Sequence, residues 1–267
     1  MEYQKKRDII EIGRRLHRKG FVASNDGNVS IRVSDHEILA TVTGVSKGFL
    51  TPEDVVVVDP MGRKLSGSGE PSSELKMHLV IYEKRPDVKA VVHAHPPVAT
   101  GFAVAGIPLA QCILPEVVVS LGAVPMAEYG TPSTMEVCDT ILPHVQNAEA
   151  FLLANHGAVT MGEDVFQAYY RMETVEHFAK ILLTAKLLGR VNVLTPAQVE
   201  KLVELRKKSG ITGRLPSCET CGYCGPTKPG GATGQPPGAA TQPPAAPDDK
   251  RLSDIITAVI KDMTQGR

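Results

Sequence analysis

The sequence predicts an α/β protein, a three-layer α/β/α sandwich around a largely antiparallel central sheet. Three observations predict it. Segments with helical spacing of apolar residues interleave with short β-branched runs. Several strand-like runs follow one another directly, which favours antiparallel pairing. Gly, Pro or Asp punctuates the runs. In chain order, Arg7 to Lys19 reads as a first helix with Ile9, Ile12 and Leu16 on one face and Gly20 as its stop. Val29–Val33, Glu37–Thr43 and Val55–Asp59 read as strands. Ser72 to Lys84 reads as a helix with Pro71 just before it and Ser72 or Ser73 as its cap. Val88–Ala94 is an apolar strand, as is Phe151–Ala154; a His-Gly turn and the strand-like Ala158–Met161 follow. Val165 to Leu188 reads as a long helix.

Composition narrows the function classes. The 267 residues carry 29 Lys and Arg against 29 Asp and Glu, which argues against a nucleic-acid binder held by phosphate contacts. No apolar run reaches the ~18 residues of a membrane-spanning helix. Met1 to Arg18 is charged and lacks the apolar core of a secretory signal, so an intracellular, cytoplasmic protein with no membrane partner is expected. Five cysteines, an odd number in such a chain, do not read as a disulfide framework.

The chemistry-bearing residues start with His93-Ala94-His95. On a strand, residues two apart face the same side, so both imidazoles point into one space. Pro96 ends the strand there. His156 also follows an apolar strand and offers a third nitrogen; three histidines with an open position are a catalytic zinc pattern, although the spacing alone is equally consistent with chance. Glu74, in the first turn of the predicted helix, is either a favourable partner for the helix dipole or an acid/base or metal-binding group. Asn28 and Ser30 in GNVS, Thr43-Gly44, and Ser72-Ser73 lie at turn-like or helix-start positions. Such places hold phosphates, and they also serve as ordinary turns and caps.

GNVS, Thr43-Gly44, PSSE at 71–74, VVHAHPP and the NHG at 155–157 occur in one order, and together they resemble the class II aldolase family over residues 5–210. The resemblance implies one zinc ion per subunit held by His93, His95 and His156, with Glu74 touching the resting metal and later moving protons. It implies a substrate phosphate lying against Asn28, Ser30, Thr43, Gly44, Ser72 and Ser73, and a homotetramer with active sites at subunit contacts. The implied reaction breaks the C3–C4 bond of a deoxyketose 1-phosphate, L-fuculose 1-phosphate favoured, to dihydroxyacetone phosphate and lactaldehyde. L-ribulose-5-phosphate 4-epimerases and non-catalytic adducin heads share the resemblance. Three departures stand out: a tyrosine of the aldolases is replaced near Gln111-Cys112, Asp26 precedes the GN pair, and Glu116 falls where the epimerase branch has a catalytic Asp.

The expected organisation is a catalytic domain at 1–215, a Cys-rich segment at 216–224, a Pro/Gly/Ala-rich linker at 225–247 and an amphipathic helix at 248–267. Cys218, Cys221 and Cys224 are either a site for zinc or an iron–sulfur cluster or a set of reduced thiols. Leu252, Ile255, Ile256, Val259, Ile260 and Met263 share one helical face, which either folds back on the enzyme or binds a partner. An enzyme, a linker and a terminal amphipathic helix resemble bacterial microcompartment cargo. The resemblance implies an encapsulation peptide that binds shell proteins, with the enzyme held inside the compartment.

Overall fold

A computed structural model describes residues 2–211, 213 and 214, and every structural statement concerns those residues. One sheet of eight strands forms the centre: β1 (Asn28–Arg32), β2 (Ile38–Thr41), β3 (Val55–Val58), β4 (Lys64–Ser66), β5 (Ala90–Ala94), β6 (Met126–Ala127), β7 (Ala150–Leu153) and β8 (Gly157–Gly162). Their order is β4-β3-β2-β1-β5-β8-β7-β6. Every neighbouring pair is antiparallel except β6 with β7. Seven helices accompany them: α1 (Glu2–Arg18), α2 (Leu75–Lys84), α3 (Pro97–Val104), α4 (Pro115–Ser120), α5 (Met135–Val145), α6 (Val165–Leu187) and α7 (Pro196–Lys208). The α/β sandwich on a largely antiparallel sheet is therefore the observed architecture.

Period-two alternation builds the two cores. Val55 and Val57 of β3, with Ala90 and Val92 of β5, join Ile9, Ile12 and Leu16 of α1, Phe102 of α3 and Phe178 of α6 in one apolar cluster. Val56, Val58 and Val91 turn the other way and meet Met77 and Ile81 of α2 and Val137 and Ile141 of α5. A one-residue slip of β5 would exchange its two faces, so burial on both sides pins the register.

The structure corrects several boundaries and adds elements. The first helix starts at Glu2, where Glu2 and Lys6 pair at 3.3 Å one turn apart, rather than at Arg7. α2 starts at Leu75, so neither Ser72 nor Ser73 caps it; residues 72–75 form a turn, with the Leu75 N–H donating to the Ser72 carbonyl at 3.0 Å. β4, α3, α4, β6, α5 and α7 lie outside the sequence expectation. β4 is a short, exposed edge strand with no apolar alternation. α3 contains Thr100 and Gly101, and α5 contains Pro143, so packing overrides local propensity in both. α7 did carry a local signal: Thr195 and Gln198 form a capping box with Pro196 inside it.

Candidate metal centre

The site is built where β1, β5 and β8 lie side by side. Asn28 of β1 pairs with His93 of β5, and His93 pairs with Val159 of β8. His95 follows the end of β5, so strand parity brings its ring back beside that of His93, with the two Nε2 atoms 3.2 Å apart. His156 enters from the turn between β7 and β8. Asn155 there adopts a left-handed φ of 58°, and Gly157 leaves no room for a side chain: a Cβ would meet the Ala94 carbonyl and the His95 ring, each at 2.6 Å. This close approach explains the Asn-His-Gly sequence physically.

Glu74 completes the group. It is the residue just before the helix (φ −92°, ψ 2°), and its side chain makes no capping hydrogen bond to the helix N-terminus. One carboxylate oxygen lies 3.2 Å from His156 Nε2; the other lies 3.4 Å from His93 Nε2 and accepts from Asn28 Nδ2 at 2.8 Å. Of the two readings open in the sequence, a dipole partner or a chemical group, the geometry matches the second.

The electrostatics suit a divalent cation. Burial pushes the pKa of His93 down to about 3, and burial with His156 nearby lowers that of His95. Both rings are thus neutral near pH 7, the form that binds metal. His93 donates its Nδ1 hydrogen to the Ala158 carbonyl at 3.0 Å, which leaves the Nε2 lone pair aimed into the cluster. Burial raises the Glu74 pKa, but His93, His156 and Asn28 outweigh it and hold the carboxyl well below the usual carboxylate range. Donor nitrogens of His93, His95 and His156 all lie within 4.8 Å of one another. Three imidazoles facing an ionised carboxylate fit one divalent metal, with Glu74 as a further oxygen donor.

The residues read as phosphate contacts divide. Thr43 and Gly44 are exposed after β2, and Gly44 has a φ of 75°. The Ser72 N–H donates to Thr41 O at 3.0 Å and the Thr43 N–H donates to Glu70 O at 2.9 Å, so the 41–44 and 70–73 segments lie together. Ser73 is exposed and its hydroxyl accepts from that of Ser133 at 2.9 Å. Asn28 instead faces Glu74. Ser30 is fully buried, with its hydroxyl shared between His78 Nδ1 at 2.7 Å and the Tyr82 hydroxyl at 2.8 Å. It is withdrawn from the phosphate set because its hydroxyl is buried and already shared by His78 and Tyr82. Glu116 sits exposed in the first turn of α4, and no described hydrogen bond or ion pair joins its side chain to Glu74 or the histidines. Cys218, Cys221, Cys224, the linker and the terminal amphipathic segment lie outside the described residues.

Three neighbours of the site were given no role from the sequence, Asp26 appearing there only as a departure beside the GN pair. Asp26 stands 3.4 Å from His95 Nδ1. Lys47 is buried, and burial pushes its pKa down to about 8 against the opposing pull of Asp26 and Glu74. His78 is buried one turn beyond Glu74, its pKa lowered by burial to about 4. Only His78 had a signal, its spacing of four residues from Glu74 along one helix face.

Comparison with known proteins gives the family. Residues 7–183 match the family described as class II aldolase and adducin N-terminal domain. An L-fuculose phosphate aldolase of Methanococcus maripaludis is 34% identical over 174 residues, 65% of this chain and 93% of the relative. A 3-oxo-tetronate 4-phosphate decarboxylase of Haemophilus influenzae is 32% identical over 207 residues, 73% of this chain and 93% of the relative. A solved L-fuculose 1-phosphate aldolase superposes with a TM-score of 0.72 at 31% identity, covering 76% of this chain and 96% of that one.

Proposed function

The chain belongs to the class II aldolase and adducin family and is a metal-dependent lyase, and from that premise we propose zinc as its metal and a deoxyketose 1-phosphate, L-fuculose 1-phosphate foremost, as its substrate. The observation that carries this reading is the convergence of three imidazoles and the Glu74 carboxylate at one sheet end. The two relatives described above are enzymes, which supports a catalytic reading over an adducin-like, non-catalytic one.

His93, His95 and His156 would hold the metal, and Glu74 would reach it in the resting state. When bound, the metal supplies a Lewis acid that polarises a carbonyl oxygen. Thr43, Gly44, Ser72 and Ser73 would anchor the phosphate and fix the distance from it to the reacting carbons. The ionised Glu74 carboxylate would take the C4 hydroxyl proton as the C3–C4 bond breaks, and the bond's electron pair moves toward the C2 carbonyl. An aldehyde departs. Glu74, protonated by that transfer, then gives the proton to C3, and the ketone half leaves as dihydroxyacetone phosphate.

Metal-replete protein incubated with L-fuculose 1-phosphate should release dihydroxyacetone phosphate and lactaldehyde, and His95→Ala should release neither. Zinc-loaded protein that yields neither product from fuculose, rhamnulose or related deoxyketose 1-phosphates would sink the substrate assignment. A second reading has support from the decarboxylase relatives. Loss of CO2 from a 3-oxo acid phosphate also leaves an electron pair next to a carbonyl, so the same residues serve it; evolved CO2 without aldehyde distinguishes it. Inversion at C4 of L-ribulose 5-phosphate with no net cleavage identifies the epimerase alternative, for which Glu116 is the added candidate.

The subunits are proposed to form a homotetramer, and residues 248–267 to bind microcompartment shell proteins through the 225–247 linker. Deleting 225–267 should abolish co-purification with shell proteins while leaving turnover intact. Undiminished co-purification of the truncated enzyme would end the encapsulation reading.

A further inference from the structure

Asp26 belongs to a turn that the structure presses against the metal centre. The Asp26 N–H donates to Ala23 O at 2.9 Å, Ser24 takes a left-handed φ of 49°, and Gly27 has a φ of 72°. A Cβ on Gly27 would meet Val22 Cγ1 at 2.7 Å and the His93 carbonyl oxygen at 2.9 Å, so the turn lies directly on the end of β5. The His95 N–H donates to Phe21 O at 2.8 Å, which ties the other side of the same segment. The Asp26 carboxylate thereby stands 3.4 Å from His95 Nδ1, while the second nitrogen of that ring faces His93.

Lys47 lies behind this turn. Its side chain is only 1% exposed, and its ammonium donates to Asn25 O at 2.9 Å and Val45 O at 2.6 Å. An ammonium is removed from water only at a large cost unless it is partnered. Here the two carbonyls belong to two different parts of the site: Asn25 precedes Asp26, and Val45 follows Thr43-Gly44. The Lys47 backbone is itself held close to α1, where a Cβ on Gly13 would meet the Lys47 carbonyl oxygen at 2.5 Å.

We propose that Asp26 is a positioning residue that keeps hydrogen on His95 Nδ1 and so presents the Nε2 lone pair to His93 and His156, and that Lys47 locks the Asp26 turn to the Thr43–Gly44 loop. A neutral imidazole has one hydrogen, and the nearby carboxylate decides which nitrogen keeps it. Without Asp26 the ring is free to take the tautomer that cannot bind metal. Without Lys47 the turn carrying Asp26 and the loop carrying Thr43 lose their common anchor. The inference rests on the reading of the histidines as metal ligands.

The test measures Zn2+ binding to the metal-free full-length protein by chelator competition at pH 7, with Co2+ absorption as a second readout of the ligand field. Asp26→Ala should weaken Zn2+ by about 10–100-fold, the range of other residues that orient metal-binding histidines, and Asp26→Asn by less. It should also alter the Co2+ spectrum while leaving the melting temperature of the metal-free protein near that of wild type. Lys47→Met should weaken Zn2+ as well, and the double variant should lose less than the product of the two single losses, because both act through one turn. Zn2+ affinity within about twofold of wild type in Asp26→Ala, below the expected range, together with loss of binding in His95→Ala, would overturn the positioning role and leave the metal centre standing. Wild-type binding in His95→Ala would overturn the metal reading itself. Asp26 is partly exposed, so its replacement tests the proposal even where Lys47→Met fails to fold.

Discussion

Two buried charged clusters in this fold are completed in opposite ways. Around Glu149, 2% exposed, one carboxylate oxygen accepts from Arg85 at 2.9 Å and from the Arg214 backbone at 2.6 Å, and the other accepts from Arg171 at 2.8 Å. Arg85 also reaches the Val145 carbonyl at 2.9 Å, and Arg171 reaches that of Met161 at 2.6 Å. No buried side-chain atom of Glu149, Arg85 or Arg171 lacks a partner. At the histidine cluster the opposite holds. Asn28 Oδ1, His78 Nε2 and His156 Nδ1 are buried without partners, and two imidazole nitrogens face each other 3.2 Å apart. Burying a polar group without a partner costs about 1–3 kcal/mol. A cluster with every bond made holds the fold together, whereas one with donors and acceptors left over is arranged for a ligand.

The largest effects should fall on the incomplete cluster. His93→Ala or His95→Ala should remove both bound metal and turnover, read by metal analysis and product assay. Glu74→Gln should keep the metal and lower kcat by about 10²–10⁴-fold, the usual worth of a positioned acid/base. A Glu74→Gln enzyme with normal kcat would make this carboxylate a spectator. The satisfied cluster should respond in stability instead. Glu149→Leu leaves Arg85 and Arg171 uncompensated and should cost about 3–5 kcal/mol in urea unfolding, with kcat per folded molecule unchanged. Lost catalysis at full stability would break the comparison.

Titration sharpens the contrast. The folded-state pKa values of His93, about 3, and His78, about 4, lie below the ordinary 6.5. The unfolded chain therefore takes up these protons first, and stability rises with pH across that interval. Metal-free protein should be most stable above about pH 6.5 and should lose stability as the pH falls toward 4. The urea midpoint at pH 7 and at pH 5 checks this; equal midpoints would mean that neither ring is held neutral by burial. The smallest effect is expected at the exposed rim. Ser73→Ala removes one hydroxyl from the Ser72–Ser73 segment and should raise KM for the phosphorylated substrate about tenfold, worth about one hydrogen bond to a charged group, with zinc affinity untouched.

Much of the site was legible because its cues are local. The period of a strand put His93 and His95 on one side before any fold was known, and the apolar run before Asn-His-Gly marked a second strand end. The misassignments have a common cause. Ser30 looks like Asn28 and Ser73 in sequence, yet its hydroxyl, two residues further along the same side of β1 than Asn28, is enclosed by His78 and Tyr82 of α2. Lys47 carries no periodic or motif signal, and Asp26 shows only as a departure beside the GN pair, since their roles come from a turn and a loop that meet only in space.

The sequence by itself determined the alternation of helices and strands, the pairing of two imidazoles at a strand end, and the family resemblance that links them. The tertiary structure alone decided that Asn28 joins Glu74 through a direct hydrogen bond, that Ser30 does not share that space, and that the Glu74 carboxylate faces His93 and His156 rather than capping its helix. The physical reason is register. Two apolar cores on opposite faces of the sheet leave only one pairing of β1, β5 and β8 that buries both sets of side chains, and that pairing brings the separate segments to one end.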